Sequence, residues 1–456
     1  MAQEVNLRAL ALETLLLFEK DREKANELIN SVLEKYEYLP KNQRAFYARL
    51  TEGTLEEMIW LDYLIDCYSK TPVRKMKPVI RNILRLSFYQ IRKMDSVPDR
   101  AAVNEAVKLT VKKGFGNLKG FVNGVLRSAL REPDKALLLK EENTLTFLSV
   151  KYSMPEFLLE KWLKDYGKEK TRELCESFLK EKKTYIRFRG SERRQEECIA
   201  ELKKEGISVE ATGLLPYACS ISGFDKLGEL SAFERGDFLI QDISSMLAIE
   251  AAGIEKESNL KILDLCAAPG GKTLLAADKA GEGSRLYARD VSEEKVELIR
   301  ENAEKCGIKN VEIQVFDAKK YDSCIKEKMD LVIADLPCSG YGVIGHKPDI
   351  KYRASDENEE NLVQLQRKIL DNAVAYVKPG GKLLYSTCTI NQKENEDQVS
   401  YILEKGGFKV ADIRKNMPKE ILPMISPKGS LQLLPGKNYP GDGFFITLFV
   451  KDEVKK

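Results

Sequence analysis

The sequence lacks several features by which whole classes of protein are recognised. Its 456 residues include one histidine, His346, and none of its nine cysteines forms a C-x-x-C pair. These absences argue against a structural zinc site and a disulfide framework, and a Ser-His-Asp hydrolase would have to rest on His346 alone. We therefore predict no metal site. The chemical role left for a cysteine is that of a reduced nucleophile.

Long apolar runs are also missing. No stretch of about 18 apolar residues occurs, so we expect no contact with a membrane. The first residues, MAQEVNLRALALETLLLFEK, lack the basic, apolar and small-residue order of a secretory signal, and we expect the protein in the cytoplasm. Apolar residues at 43% and charged residues at 32% indicate a globular chain. Its length suits about three domains.

Charge is distributed unevenly along the chain. Residues 70–131 carry 15 basic and 3 acidic side chains, whereas residues 1–69 have a net charge of −5 and residues 132–456 a net charge of −4. A concentration of positive charge favours a surface that binds a polyanion. A solvated helical face is the alternative interpretation.

Periodicity divides the chain into three predicted domains. Residues 1–132 show apolar residues at helical spacing and predict an all-helical bundle. Residues 133–235 contain a linker and a small α+β domain. Its strand TYIRFRG alternates and turns Arg187 and Arg189 toward one face, which would meet either a nucleic acid or only solvent. Residues 236–456 form the third domain.

The third domain alternates strands and helices, which predicts a doubly wound, Rossmann-like parallel sheet. The predicted strands are Lys261–Cys266, Ser284–Asp290, Val311–Phe316, Asp330–Asp335 and Lys382–Thr387, with edge strands at Gly407–Ile413 and Phe444–Lys451. The predicted helices are Lys272–Lys279, Glu293–Cys306, Glu359–Val377 and Lys393–Glu404.

The loop AAPGGKT, between the first strand and the first helix of this domain, predicts a cofactor site. It is not a P-loop, because Cys266 stands where that motif needs its first glycine, and G-x-G-x-x-G is absent. An S-adenosylmethionine site is the remaining interpretation. Asp290, 19 residues after Gly271, suits ribose hydroxyls, Asp317 suits an adenine amino group, and Asp264 lies near the methionine end. Each Asp taken alone is equally well a helix cap.

Two cysteines follow neighbouring strands of the predicted sheet. DLPCSG places Asp335 and Cys338 after the fourth strand, and STCT places Cys388 after the fifth. Paired strands lie about 4.8 Å apart. If these two pair, both thiols reach the edge where α/β proteins bind ligands. Asn391–Glu394 resembles a capping box for the following helix, whose N-terminus would help to hold a thiolate.

Such a pair suits the methylation of a pyrimidine carbon. C5 of cytosine is a poor nucleophile, and a thiolate that adds to C6 makes C5 reactive toward a methylsulfonium. A carboxyl group near N3 favours this addition, and a second group is needed to release the product. The spacing in the sequence does not say which thiol attacks.

At these residues the sequence resembles a known family. LDLCAAPGGKT, DLPCSG and STCT, with GDFLIQDISSMLA before them and GDGFFITLF after them, are similar to the motifs of RNA cytosine-C5 methyltransferases of the Nop2/Sun group. VPDRAAVNEAVKLTVKKG and FVNGVLR resemble the NusB family of helical RNA-binding domains. The combination resembles methyltransferases of the bacterial small ribosomal subunit.

The resemblance implies a role for each motif. Cys388 would be the nucleophile, Cys338 would assist release, and Asp335 would contact both the base and the methionine end. S-adenosylmethionine would be held by Asp335, Asp290, Asp317 and the loop residues Cys266, Ala267, Ala268, Pro269, Gly270, Gly271 and Lys272.

The implied substrate is a cytosine of 16S ribosomal RNA, free or in an early small-subunit assembly intermediate, and a monomer is expected. The segment GVIGHKPDIKYR would approach this RNA, with His346 contacting phosphate or packing in the loop. The basic side chains expected on RNA phosphates are Arg74, Lys75, Lys77, Arg81, Arg85, Arg92 and Lys93. Two alternatives stay open, namely the same chemistry on tRNA or DNA and a non-catalytic RNA-binding factor.

Overall fold

The computed structural model describes residues 5–21, 25–137, 144–256 and 259–453. The chain divides into two compact units, and we call Met1–Lys180 with Ile344–Ala354 the helical unit and Glu181–Val343 with Ser355–Lys456 the sheet unit. The division into three domains stays a prediction, and residues 138–143 of its linker lie outside the described residues. Within the described ranges, no helix has the length and apolar character needed to span a membrane.

The helical unit is built from amphipathic helices around one apolar core, as the sequence pattern predicts. Its helices are α1 Leu7–Asp21, α2 Ala25–Lys35, α3 Lys41–Glu56, α4 Met58–Tyr68, α5 Pro78–Lys93, α6 Asp99–Lys112, α7 Lys119–Arg131, α8 Thr144–Lys151 and α9 Glu156–Phe178. Prolines precede α3 and α6 and begin α5, where their fixed φ and missing N–H cost nothing. The core includes Leu12, Leu15 and Phe18, all fully buried.

Three of the cations expected on RNA instead form ion pairs inside the helical unit. Arg85 is 5% exposed and binds Asp62 through two hydrogen bonds of 2.6 Å. Arg81 pairs with Glu19, and Lys93 pairs with Glu57. Arg85 is buried, so the prediction was wrong for this side chain, whereas for Arg81 and Lys93 it stays a prediction. Of the predicted cations, Arg74, Lys75, Lys77 and Lys93 are exposed.

The segment expected to approach RNA is largely built into the helical unit. Lys351 is 2% exposed and donates a hydrogen bond of 2.6 Å to the carbonyl of Glu56. The Tyr352 hydroxyl donates to the carbonyl of Leu55 at 2.7 Å. Burial lowers the pKa of Lys351 to about 8, which does not suit a phosphate contact. His346 stays at the surface.

The sheet unit begins with a small antiparallel sheet of order β2-β3-β1-β4. Its elements are β1 Thr184–Phe188, α10 Glu192–Lys204, β2 Ser208–Ala211, β3 Ala218–Ser222, α11 Ser231–Glu234 and β4 Phe238–Ile240. Arg187 is 1% exposed and binds Asp278 at 2.6 Å, and Arg189 binds the same carboxylate at 2.7 Å. Packing covers Arg187 on that side of β1, so both alternatives, a nucleic-acid face and a solvated face, were wrong for this side chain.

The rest of the sheet unit is a mixed sheet with helices between its strands, of order β10-β12-β9-β8-β5-β6-β7 with β11 on β12. Its strands are β5 Lys261–Asp264, β6 Arg285–Asp290, β7 Val311–Val315, β8 Met329–Asp335, β9 Val377–Thr387, β10 Phe408–Val410, β11 Leu431–Leu433 and β12 Phe444–Lys451. Its helices are α12 Ile243–Ala252, α13 Gly271–Ala280, α14 Glu293–Lys305, α15 Asp356–Tyr376 and α16 Glu396–Glu404. Strands β5 to β9 pair in parallel, which confirms the Rossmann-like prediction.

One predicted helix differs from the structure. A 3₁₀ turn at Gln392–Glu394 and a non-helical Asn395, with φ −114° and ψ −95°, precede α16. The capping box expected at Asn391–Glu394 does not form, because the Glu394 carboxylate points to another loop. Strand β11 was not predicted, since three residues carry too little pattern to be recognised.

Candidate active site

Strands β8 and β9 pair in parallel and bring the two cysteine loops to one edge of the sheet. Asp335 and Ser386 are register partners at the ends of these strands. The loops that follow place the sulfur atoms of Cys338 and Cys388 3.3 Å apart. Both cysteines are half-buried and reduced. The structure thus brings together the two thiols that the sequence separates by 50 positions.

The carboxylate of Asp335 lies in the same place and is held from two sides. The Ser386 hydroxyl donates to one oxygen at 2.7 Å, and the Lys272 ammonium binds the other at 2.7 Å. The pKa of Lys272 lies above its ordinary value. Burial lowers this pKa, but the charge and hydrogen bond of Asp335, with smaller contributions from Asp264 and Cys388, outweigh the effect of burial. Lys272 therefore keeps its positive charge, and this charge lies within electrostatic range of Cys388.

The two thiols have different electrostatic surroundings. The hydrogen bond with Cys388, burial, and the negative charges of Cys388, Glu394 and Asp335 together raise the pKa of Cys338 well above its ordinary value. The two sulfur atoms share a hydrogen bond in which either can be the donor. The positive Lys272 acts on Cys388. The charged groups around the two thiols therefore differ, although the spacing in the sequence left the thiols equivalent.

Glu394 lies beside Cys338, a position that the sequence did not indicate. Its carboxylate is fully buried and accepts a hydrogen bond of 2.9 Å from the backbone N–H of Ser339. Burial raises the pKa of Glu394, and the hydrogen bonds that it accepts oppose this effect. The pattern N-x-x-E at Asn391–Glu394 predicts a capping box, so the sequence indicates a helix-capping role for Glu394 and not a place beside a thiol.

Close backbone packing ties three motifs together behind the thiols. The N–H of Gly342, just after DLPCSG, donates to the carbonyl of Cys388 at 3.1 Å. The carbonyl of Gly342 accepts from the N–H of Gly443, in the motif GDGFF, at 2.9 Å. A Cβ atom at Gly342 would lie 1.9 Å from the Gly443 carbonyl oxygen, so any larger residue displaces backbone.

We expect Gly342→Ala to disturb both cysteine loops. The clash involves backbone atoms that no side-chain rotation relieves, and overpacking of this kind costs about 1–3 kcal/mol of folding free energy. The melting temperature should fall and methyl transfer should drop by at least about tenfold, since misplaced reacting groups are costly. Gly228→Ala is the matched control, because the atom nearest to its added Cβ is 3.7 Å away. Wild-type stability and activity in Gly342→Ala would contradict this account.

The predicted cofactor loop connects β5 to α13. Gly270 has φ +105°, a backbone conformation that favours glycine, and precedes the first turn of α13. The N–H of Ala267 donates to the carbonyl of Arg289, and the N–H of Ala268 donates to the Asp290 carboxylate at 3.0 Å. Ala268–Pro269 is a cis peptide. The loop and the end of β6 therefore form one connected edge of the sheet, which we call the cofactor edge.

The other predicted cofactor residues occupy this edge or its neighbourhood. The carbonyl of Pro269 accepts from Asn302 at 2.9 Å. Cys266 is half-buried, and burial raises the pKa of its thiol. Asp317 accepts a hydrogen bond from the Lys319 backbone at 3.0 Å within its own turn. The side chain of Lys272 turns to Asp335 instead.

The residues present fit a ligand such as S-adenosylmethionine. Asp264 is 1% exposed, and its Oδ1 atom is buried without a hydrogen-bond partner among the residues the structure describes. Burial, partly opposed by a hydrogen bond from Thr273, raises the pKa of Asp264 to about 7. A buried acceptor oxygen of this kind suits an ammonium or hydroxyl donor of a ligand. Among the described residues, no group of histidine, cysteine, aspartate or glutamate side chains could hold a metal ion.

Comparison with known proteins identifies the family. The model of the 16S rRNA methyltransferases RsmB/F matches residues 251–450, the NusB family matches 5–131, and the ferredoxin-like domain of RsmF/B-like methyltransferases matches 154–224. The probable ribosomal RNA small subunit methyltransferase B of Bacillus subtilis is 34% identical, over 97% of this chain and 98% of its own.

Two solved structures share the fold. The crystal structure of PH0851 aligns with a TM-score of 0.77 at 24% identity, over 98% of this chain and all of that one. NSun6 from Pyrococcus horikoshii with SFG aligns with a TM-score of 0.57 at 24% identity, over 66% of this chain and 99% of that one.

The Rossmann-like sheet and its cofactor edge define an S-adenosylmethionine-dependent methyltransferase. The chain belongs to the RsmB/F family of 16S rRNA methyltransferases and carries a NusB domain at its N-terminal end. It is therefore an rRNA methyltransferase, as the sequence motifs predict.

Proposed function

We propose that this enzyme methylates C5 of a cytosine in 16S rRNA through a covalent bond between Cys388 and C6 of the base. The observation that carries the proposal is the 3.3 Å separation of the Cys338 and Cys388 sulfur atoms beside Asp335. Methylation of a heteroatom with its own lone pair needs no such thiol pair. A ring carbon needs covalent activation first, and then a means of release.

The proposed reaction begins with the addition of the Cys388 sulfur to C6. The new S–C6 bond gives C5 the electron density of an enamine, and C5 then attacks the methyl group. S-adenosylmethionine, when bound, supplies that methyl group as an electrophilic sulfonium. Loss of the C5 proton then returns an electron pair to the C5–C6 bond, and the Cys388–C6 bond breaks with departure of the thiolate.

Charged side chains support the role of Cys388 as the nucleophile. The Lys272 ammonium stabilises a thiolate at Cys388 and fixes Asp335 through their 2.7 Å ion pair. Asp335, held on its other side by Ser386, accepts a hydrogen bond from the protonated N3 of the cytosine and thereby favours addition at C6. Cys338, the thiol that keeps its proton, stabilises the Cys388 thiolate as it leaves.

The cofactor edge is proposed to hold S-adenosylmethionine through one contact for each polar part of the ligand. The run Cys266–Lys272 presents backbone to it, Asp290 binds the ribose hydroxyls, and Asp317 binds the adenine amino group. Asp335 lies toward the methionine end. The hydrogen bond that Asp290 accepts from Ala268 keeps its carboxylate at the loop and supports this assignment.

A cleft of the helical unit is proposed to bind the RNA chain. It has a volume of about 680 Å³ and lies between the end of α4 and α7. Tyr68 and Phe121 contribute aromatic surface, and Lys70, Arg127 and Arg131 contribute positive charge. Lys70 and Arg127 make no ion pair with any described residue, unlike the cations paired on α5. Aromatic and cationic groups together suit single-stranded RNA.

We expect the double substitution of Lys70 and Arg127 by alanine to weaken RNA binding without changing the chemistry. KM for RNA should rise several-fold at constant kcat, and the salt dependence of binding should lose a slope of about 1 for each cation removed. Lys204→Ala, which removes an exposed cation of the sheet unit, is the control. An unchanged salt slope in the double variant would refute the cleft as the RNA site.

Transfer of a labelled methyl group tests the proposed reaction. Purified protein with labelled S-adenosylmethionine should modify unmethylated 16S rRNA at cytosine C5, and bulk tRNA should accept little label. Complete small subunits should also be poor acceptors, since the proposed substrate is 16S rRNA alone or an early assembly intermediate. Label in tRNA only, or in a base other than 5-methylcytosine, would contradict the proposal.

Three further properties belong to the same proposal. Residues 1–132 form the RNA-binding domain, residues 133–235 the linker and small domain, and residues 236–456 the methyltransferase domain. The protein acts as a monomer in the cytoplasm, where its ribosomal substrate is assembled. Light scattering of the purified protein at assay concentration tests the oligomeric state.

A further inference from the structure

The two peptide groups that flank Cys338 are both held by buried side chains. The Ser339 N–H, on the far side of the thiol, donates to Glu394 Oε2 at 2.9 Å. The Pro337 carbonyl, on the near side, accepts from Gln366 Nε2 at 2.9 Å. Gln366 Nε2 also donates to the same Glu394 oxygen at 2.9 Å. Glu394 and Gln366 therefore form a clamp around the backbone of Cys338.

The Glu394 carboxylate receives only donors. Asn391 donates to its second oxygen at 3.0 Å, in addition to the contacts from Ser339 and Gln366. The Tyr385 hydroxyl donates to the Glu394 carbonyl. An ionised carboxylate, which has acceptor sites alone, matches this set of partners. Gln366 is oriented in turn by Gln398, which donates to its amide oxygen at 3.1 Å.

The clamp also connects the two cysteine loops. The hydroxyl groups of Ser339 and Thr389, the residues after Cys338 and Cys388, lie 2.7 Å apart and share a hydrogen bond. Ser339 is thus held by Glu394 through its backbone and by Thr389 through its side chain. The 3.3 Å separation of the sulfur atoms depends on both loops.

We propose that Glu394 is a positioning residue for product release, because it holds the Cys338 thiol at the Cys388 sulfur. The inference rests on the proposed covalent mechanism and extends it to a buried residue outside the proposed RNA and cofactor contacts. In Glu394→Gln one oxygen remains, but an N–H donor replaces an acceptor and the charge is lost. Cys338 then loses its fixed position, whereas Cys388 keeps Lys272 and stays able to attack.

The expected effect is a slow release step. Misplacement of a reacting group by about 1 Å costs on the order of 10²-fold, so we expect kcat of Glu394→Gln to fall by about 10- to 100-fold. KM for RNA should change little. A protein–RNA adduct that survives denaturing electrophoresis should accumulate during turnover. Asp397→Asn, which removes an exposed negative charge from the first turn of α16, just after Glu394, should behave as wild type.

A second measurement separates positioning from a general loss of structure. Adduct formation is followed in Cys338→Ala and in the double variant Cys338→Ala with Glu394→Gln. If Glu394 acts through Cys338, the double variant should form the adduct at the rate of Cys338→Ala within about twofold, since the effects of coupled residues are not additive. Slower adduct formation, by the same factor as the loss in kcat, would show a general structural role and overturn the inference.

The outcomes also separate this inference from the proposed function. If Cys338→Ala forms an adduct and Glu394→Gln turns over without one at the wild-type rate, the positioning role is refuted and the mechanism stands. If no variant forms an adduct with RNA, both are refuted. Thermal unfolding and S-adenosylmethionine binding of Glu394→Gln, expected to match wild type, exclude misfolding as the cause.

Discussion

Replacement of Cys388 by alanine is expected to abolish methyl transfer to rRNA. In the proposed mechanism, C6 then receives no nucleophile and C5 never becomes an enamine. Other enzymes that lose a covalent nucleophile slow by about 10³-fold or more, and we expect a loss of at least that size here. Single-turnover transfer of labelled methyl groups to 16S rRNA measures it. RNA binding and S-adenosylmethionine binding should persist, because Cys388→Ala leaves Lys272 and the cofactor edge in place.

The control for this prediction is another cysteine that takes no part in the site. Cys324 is exposed, and alanine preserves the hydrogen bond of 3.0 Å that its backbone N–H donates to Asp322. Cys324→Ala should therefore retain full activity. If Cys388→Ala retained activity while Cys338→Ala lost it, the two thiols would have to exchange roles. The stabilising effect of Lys272 on Cys388 would then need another explanation.

Replacement of Cys338 by alanine is expected to trap the enzyme on its substrate. In the proposed mechanism, Cys388 can still attack C6 and C5 can still take the methyl group, but the leaving thiolate loses the neighbouring thiol 3.3 Å away. A covalent protein–RNA complex should accumulate to nearly one equivalent of enzyme, while multiple turnover falls by about 10²-fold or more. Denaturing electrophoresis with labelled RNA measures the complex directly.

The double variant with alanine at both cysteines provides the control for that complex. It should form none, because the attacking sulfur is absent. Adduct in the double variant would show that a third nucleophile reacts with the RNA. Complete turnover by Cys338→Ala with no slowly migrating band would remove Cys338 from the release step.

Local patterns in the sequence were sufficient for much of the fold. The strand endings at Asp290 and Asp335 and the helix start after Gly270 follow from alternation, apolar runs and glycine turns, and the structure has them there. These features depend on residues close in the chain. Strand β11 was missed because its three residues carry too little pattern. The break at Asn395 was missed because Asn395 is held by Gln432, which is distant in the chain.

Charge was the weakest guide. The excess of cations in residues 70–131 is real, but partners from α1 and α4 neutralise Arg81 and Arg85, and Glu57 neutralises Lys93. Arg187 is likewise internal, where Asp278 compensates it. A count of charges along the chain cannot distinguish exposed cations from cations in buried ion pairs, because the carboxylate that pairs with a cation can be distant from it in the sequence.

The sequence by itself determined the class of reaction, because the motifs around Cys338, Cys388 and Gly270 are short and carry their chemistry within a few residues. Only the tertiary structure decided what surrounds the two thiols. The fold brings the sulfur atoms to 3.3 Å from one another and brings Lys272 and Glu394 to them from distant positions in the chain. Electrostatic interaction depends on distance through space, and pairing of β8 with β9 sets that distance.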